Sequence, residues 1–378
     1  MNYRDNWLKS QLFAAPERVP LAPGMGRLST RERWHSEGLP LEIDAPSAIT
    51  AYAYREAGGS EILPAPGERF QMRERMIPEF EEKVLQKGER SQIVQDWKGN
   101  ICEISNEFSV EHLRNAIDFV TRRWIKCPVE SPADWELIKK RYDPNDPLRL
   151  PQDADALAMK LADRDWPVEA HFSGPFWQLR EWLGFEDLCM MFHDEPNFVK
   201  EMIAFWEDYV ASLLTTTFRY VTPDSVHISE DMAYKKFSMI SPEMVKEFLL
   251  PTWKRWGELI GGAGCPIYAI DSDGYIGELV PVWIEAGFNV CDPIEVAAGN
   301  DLPEFRRRFG RDMAYRGGVD KRAIASGGQV IRDEIQRLTP VIASGGYIPG
   351  CDHGVPSNVS WPDFVEYTRL LAEAMGWM

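Results

Sequence analysis

Gly345-Gly346-Tyr347-Ile348-Pro349-Gly350-Cys351-Asp352-His353-Gly354-Val355-Pro356 opens as a short apolar run between glycines and stops at a thiol, a carboxylate and an imidazole. The same design recurs upstream. Val226-His227-Ile228-Ser229-Glu230-Asp231, Ile267-Tyr268-Ala269-Ile270-Asp271-Ser272-Asp273-Gly274 and Phe288-Asn289-Val290-Cys291-Asp292 all finish in acidic residues. Apolar strands that end in polar residues, with helices between them, are how a (β/α)8 barrel builds an active site at one rim. The expected fold is therefore α/β, a (β/α)8 TIM barrel, and the expected class is an enzyme.

From Trp166 onward the alternation is regular. Strand-like segments fall near 167–173, 225–230, 266–271, 288–292, 313–317 and 346–350, with helical patterns between them. The apolar spacing over Pro196–Phe218 predicts a helix, as does Ser241-Pro242, an N-cap serine with proline at the first helical position. Gln329–Ile342 and Trp361–Met375 complete the helical set. Upstream, Arg18-Val19-Pro20-Leu21-Ala22-Pro23-Gly24 reads as a first barrel strand. One further strand is expected in the irregular N-terminal part. There, Ile93–Trp97, Lys98-Gly99-Asn100 and Ile101–Ile104 read as a β-hairpin, and Ser131-Pro132 as a helix start. The whole chain, 1–378, is expected to be one barrel domain with 24–160 as a lid-like elaboration. No GxGxxG opens a helix and no GxxxxGK[ST] occurs, so dinucleotide and P-loop chemistry lack support.

Composition narrows the partners. The chain has 378 residues, 42 basic against 59 acidic, and a net charge of −17 without a basic run, which argues against nucleic-acid binding. No apolar run reaches the roughly 18–20 residues of a membrane span. Met1–Trp7 lacks the design of a signal peptide. The six cysteines form no CxxC pair and read as reduced thiols of a cytoplasmic protein, mostly small core residues. Cys351 stands apart because of its neighbours.

Each candidate residue has a functional and a plain reading. Asp271 and Asp273 can share a metal or divide general acid and base roles; equally, they can cap the next helix through an Asx turn. Cys351, Asp352 and His353 offer donors that suit zinc, although strand alternation lets at most Cys351 and His353 face one point. Glu230, with Tyr234 and Lys235 nearby, is a tuned acid or an ordinary loop ion pair. His171 faces substrate or is a hydrogen-bonded structural histidine. Arg27, Arg31 and Arg33 clamp an anion at the rim or begin a helix capped by Ser29 or Thr30. The tryptophans, Trp177 among them, line a pocket or fill the core.

With these residues in view, the chain resembles the uroporphyrinogen decarboxylase superfamily, which also contains cobamide-dependent methyltransferases and the methyltransferase components of O-demethylases. Glu230–Lys235, Ser241-Pro242 with Pro251, Asp271–Gly274, Gly317–Lys321 and Gly345–Pro356 carry the resemblance. It covers the chain from about residue 160 onward; the N-terminal part matches more loosely. The resemblance implies a (β/α)8 barrel with its site at the C-terminal rim, and pairing into a homodimer. Methyltransferases that act on a thiol carry His-x-Cys-Gly where this chain has Asp271-Ser272-Asp273-Gly274, and their later zinc cysteine falls at Cys351. The decarboxylases are matched at His353, but their Arg-Gln-Ala-Gly-Arg motif is replaced by Gly24-Met25-Gly26-Arg27-Leu28.

The resulting expectation is a methyltransferase that demethylates a small methoxylated or methylated substrate and passes the methyl group to a corrinoid on a partner protein. Zinc is expected on Asp273, Cys351 and Asp271. Glu230, Asp271 and His353 are the expected catalytic residues; His171, Trp177, Arg27 and Tyr234 are expected to bind substrate. The alternative is a cofactor-free decarboxylase of a small carboxylic acid or porphyrinogen-like substrate. A silent barrel that only binds would have no need of so many ionisable strand ends.

Overall fold

The computed structural model describes residues 2–378. Six parallel strands form the barrel wall: β5 (Glu169–Ser173), β6 (Ser225–Ser229), β7 (Ile267–Asp271), β8 (Val290–Asp292), β9 (Ala314–Val319) and β10 (Tyr347–Cys351). They neighbour one another in chain order, β5 to β10, as successive right-handed βα units require. The helices expected between them are present at Pro196–Tyr220, Pro242–Phe248, Gly328–Ala343 and Trp361–Ala374. Ser241 caps its helix by accepting the backbone N–H of Met244. Seven of the 14 tryptophans, including Trp206, Trp253 and Trp283, lie fully buried, and Trp7, Trp97, Trp361 and Trp377 are nearly so, so most of the indoles are core.

The two remaining staves are not regular strands. The segment expected as the first strand, Arg18–Gly24, runs extended beside β10 but pairs sparsely. Cys351 N–H donates to Pro23 O (3.0 Å) and Val355 N–H to Met25 O (2.8 Å). Pro20 and Pro23 have no N–H to donate, which rules out a continuous ladder. On the opposite edge, side chains replace backbone. Gln71 donates from Nε2 to His171 O (2.7 Å) and accepts His171 N–H at Oε1 (3.0 Å), mimicking one rung of a ladder. Glu74 Oε1 accepts the N–H of Ser173 (2.8 Å). A cavity lined jointly by Ala22, Glu169, Arg316 and Ile348 shows that these edges close round one interior.

The helix Tyr3–Gln11 plugs the lower end. Trp7 packs with Ile267, Ala269, Val290, Ala314 and Ile348, which project inward from β7 to β10. Residues 24–160 are of two kinds. The helices Leu28–Ser36 and Pro46–Glu56 belong to the main core, with Trp34 against Phe364 and Trp361. A separate antiparallel sheet, β1 (Lys83–Lys87), β2 (Ser91–Gln95), β3 (Ile101–Ser105) and β4 (Arg122–Lys126), contains the expected hairpin as β2–β3. It has its own small core of Val94, Cys102 and Ile104. Among the described residues no helix is long and apolar enough to cross a membrane.

Gln71→Leu keeps the volume and removes both bonds, leaving the His171 N–H and C=O unpaired. The expected loss is about 1–3 kcal/mol of stability, seen as a lower urea midpoint; an unchanged midpoint would show that the pseudo-rung is not needed.

Candidate active site

Strand register sets the site. Ser173, Ser229, Asp271 and Asp292 stand level across β5 to β8, at the upper ends of the strands. One layer lower stand His171, His227, Ala269, Val290 and Ala314. Alternation sends every second side chain inward, so these two layers share the interior. Above them lies a rim cavity of about 370 Å³, lined by Trp177, Asp231, Asp271, Asp273, Asp292, Cys351 and His353 among others. It is open at the top, where the Asp273 side chain is 43% exposed.

The interior charges form a short chain. Arg316 donates to Glu169 (2.7 Å) and to Gln11, and its guanidinium is 3.9 Å from Asp292. His227 Nε2 lies 3.1 and 3.2 Å from the two Asp292 oxygens. Burial opposes a charge on His227, but Asp292 outweighs it and lifts the imidazole to about 9. The net preference for the charged ring is on the order of 3 kcal/mol. Burial likewise opposes ionisation of Asp292, yet His227 and Arg316 hold its pKa below the usual carboxylate range. His171, its ring centroid 5.0 Å from that of His227, is pushed down to about 4, first by burial and then by the neighbouring imidazolium.

Asp271 is left without a counter-ion of its own. Burial first, then the charges of Asp292 and Asp231, raise its pKa against the pull of His227. Its Oδ1 is buried and has no hydrogen-bond partner, so the carboxyl sits at the cavity floor with an oxygen free. Buried groups of this kind that face a cleft are candidate acids. The backbone beside it is strained: Asp231 has φ +47°, held by Arg180, which donates to its carbonyl (2.8 Å) and its Oδ2 (3.3 Å). The following turn needs Gly274, at φ +83°, because a Cβ there would stand 2.4 Å from Ala233 O.

The sequence-predicted residues are dispersed. Asp271, Asp273, Cys351, His353 and Trp177 line the rim cavity together. Glu230 does not. It is fully buried, its Oε1 accepting Trp253 Nε1–H (2.8 Å) and its Oε2 the N–H of Trp177 (3.1 Å), so it anchors the start of the helix Pro175–Leu183. Burial pushes Glu230 up to about 8 against these donors. Tyr234 is 53% exposed and packs edge-on against Phe185, outside the rim cavity. His171 lies in the lower layer, outside the rim lining. Arg27 caps no helix through its side chain; it covers Phe119 at 4.0 Å and donates to Asp118 O.

The zinc expectation does not fit this geometry. Among the described residues no three His, Cys, Asp or Glu side chains converge as a metal-ligand set. Asp273 turns to His353 instead, Oδ2 to Nε2 at 3.2 Å, and this contact raises the imidazole pKa. The Cys351 thiol is buried at the neck between the rim and interior cavities, and burial pushes it up to about 12. Asp352 faces away, accepting the N–H groups of Val296 and Lys321.

His227, Asp292 and Arg316 escaped sequence reasoning, and Asp231 was passed over for Glu230. Strand parity was the available signal. Counting back by two from Asp271 keeps residues on the inward face, and the same count from Ser229 reaches His227.

Fold and site together define a (β/α)8-barrel enzyme with a buried acid at its C-terminal rim. Uroporphyrinogen decarboxylase (URO-D) is the family whose profile matches, over residues 112–367, and the chain belongs to that family. Its members are decarboxylase-like or methyltransferase-like enzymes. A methyltransferase from Methanosarcina mazei has a similar structure, with TM-score 0.59 and 11% identity over 98% of both chains. A B12-independent methionine synthase from Shewanella sp. W3-18-1, at TM-score 0.45 and 10% identity over 95% of this chain and 96% of that one, is more distant. No curated protein matches the sequence.

The place of Glu230 is testable. A Cβ on Gly174 would stand 2.0–2.4 Å from the Glu230 carboxyl. Gly174→Ala is expected to lower the thermal midpoint sharply, and Glu230→Ala in the same chain to restore part of it. Additive losses in the double variant would separate the two residues.

Proposed function

We propose that this chain removes the methyl group of a small methoxylated or methylated compound, with Asp271 as the general acid at the leaving atom. The free Oδ1 of Asp271, at the floor of a rim cavity of about 370 Å³, carries this reading. A cavity of that size falls in the range of small-molecule pockets. The likeness to the Methanosarcina mazei methyltransferase along the whole chain supports methyl transfer over other barrel chemistries.

A corrinoid carried by a partner protein would supply the methyl acceptor. The corrin ring is far larger than the rim cavity, so it would stay outside, at the open mouth beside Asp273. The chain's own residues do the rest. Trp177 and Pro293 wall the substrate. When the bond from methyl carbon to oxygen breaks, the electron pair stays on the oxygen, and the Asp271 proton moves to it. The carboxylate left behind faces the His227 imidazolium, which is already charged below about 9. The counter-charge is thus in place before the proton leaves, and little needs to reorganise. Asp273 holds the His353 ring at the mouth, where it lines the way in for the substrate.

Decarboxylation of a small acid without a cofactor is the second reading. The family match favours it, and the same Asp271 proton would then quench the carbanion left by carbon dioxide. The two readings separate by product. Incubated with a panel of small O-methyl and N-methyl compounds and cob(I)alamin, the protein is expected to release the demethylated product, followed by mass spectrometry. Carbon dioxide from small acids, with no demethylated product, would contradict methyl transfer.

Asp271→Asn is expected to fold normally and to lower kcat by about 10²–10⁴-fold. The acid form is the active one, so the wild-type rate falls as pH rises through the raised pKa of Asp271. That falling limb should vanish in Asp271→Asn. In His227→Gln it should move to higher pH, because the imidazolium that favours ionised Asp271 is gone. A limb unmoved in both variants would assign the proton elsewhere.

A further inference from the structure

A second cavity, of about 530 Å³, lies between the β1–β4 sheet and the barrel rim, and Trp177 lines both cavities. Its lining is basic in a chain of net charge −17: Arg27, Arg75, Lys98, Arg114 and Arg122 face it. Three of these cations surround a single indole. The Trp97 centroid lies 5.5 Å from Arg75, 5.4 Å from Lys98 and 5.0 Å from Arg114.

The lining carboxylates are already engaged. Glu181 pairs with Lys98, and Asp118 accepts the N–H and hydroxyl of Ser29. Glu74 accepts from Ser173, and burial raises it to about 7. Arg114 is spent on Glu79 and Glu82. Arg75 and Arg122, by contrast, make no direct ion pair among the described residues: Glu74 and Glu181 feel their charges without bonding to them, and each guanidinium stacks on an indole, Trp97 and Trp124 respectively. Trp97 is 3% exposed, yet its Nε1–H has no acceptor. A buried indole N–H left unpaired beside Arg75, in a cavity that Arg122 also lines, is a donor set lacking its acceptor.

We infer that this vestibule is an anion-binding subsite, in which Arg75, Arg122 and the Trp97 indole N–H receive the carboxylate or phosphate of a ligand. Guanidinium groups bind either oxyanion through paired N–H donors, and the indoles of Trp97 and Trp177 offer apolar walls to the rest of the ligand. Because Trp177 borders both cavities, a ligand anchored here reaches toward the rim. The inference does not depend on which reaction Asp271 serves.

Calorimetric titration of the full chain tests it, with benzoate as the carboxylate probe, benzamide as its neutral counterpart and inorganic phosphate as competitor. Benzoate is expected to bind one site per chain, with benzamide about tenfold or more weaker. Arg75→Met, Arg122→Met and Trp97→Phe should each weaken benzoate about fivefold or more, while Asp271→Asn leaves it unchanged. Displacement of benzoate by phosphate would mark a general oxyanion site; resistance to phosphate would mark a carboxylate site. Equal affinity for benzoate and benzamide, no binding of either anion at millimolar concentration, or indifference to all three substitutions in folded protein would overturn the inference.

Discussion

Arg316 and His227 share one carboxylate, Asp292, inside the barrel, and the charges above follow from that sharing. A buried carboxylate is stable only where cations or donors compensate it. Asp292 ionises against His227, with Arg316 held nearby by Glu169, and its charge adds to burial in raising the cost of a second one at Asp271. The barrel thereby builds an acid from an aspartate by burying it first and setting an ionised neighbour beside it second. Glu169 anchors Arg316 from β5, and Trp7 covers the guanidinium at 4.9 Å from below, so the array is fixed from the bottom of the barrel upward. The N-terminal helix, far from the rim in sequence and space, is thus part of what tunes the site.

Closure of the wall obeys a second constraint. Prolines in the first stave and a missing eighth strand leave two edges that must be satisfied without a ladder. Pro23 O, Met25 O and the side chains of Gln71 and Glu74 meet this need. The N-terminal elaboration is therefore woven into the barrel along much of its length. Only the β1–β4 sheet stands apart, over its own core. It leans on the rim where Phe119 meets His353, with ring centroids 6.0 Å apart, and this contact joins the basic vestibule to the acidic rim.

The barrel was legible because β5 to β10 carry an unmistakable alternation of apolar strand and amphipathic helix, with acids where strands end. The rim positions Asp271, Asp273, Cys351 and His353 were legible for the same reason. What misled was reading chemistry from adjacency in the chain. Glu230 follows its strand by one residue and looks available, but the turn folds it under the helix Pro175–Leu183, where backbone and indole N–H groups claim both oxygens. Cys351 and Asp273 look like ligands until Asp273 is seen to spend itself on His353. His227 and Asp292 lay in plain view, but their pairing across strands depends on register, which a single sequence does not reveal. The basic lining of the vestibule was equally hidden, since its arginines come from segments scattered between residues 27 and 122.

The central claim is that Asp271 keeps its proton near neutral pH because it is buried beside an already ionised Asp292. Infrared difference spectroscopy of the wild type against Asp271→Asn tests it most directly, by following the C=O stretch of a protonated carboxyl as pH is raised. The account requires a protonated-acid band at neutral pH that is missing from Asp271→Asn and fades on alkalinisation. If that band is absent at neutral pH and emerges only near pH 4, Asp271 is an ordinary carboxylate and the proposed acid is contradicted.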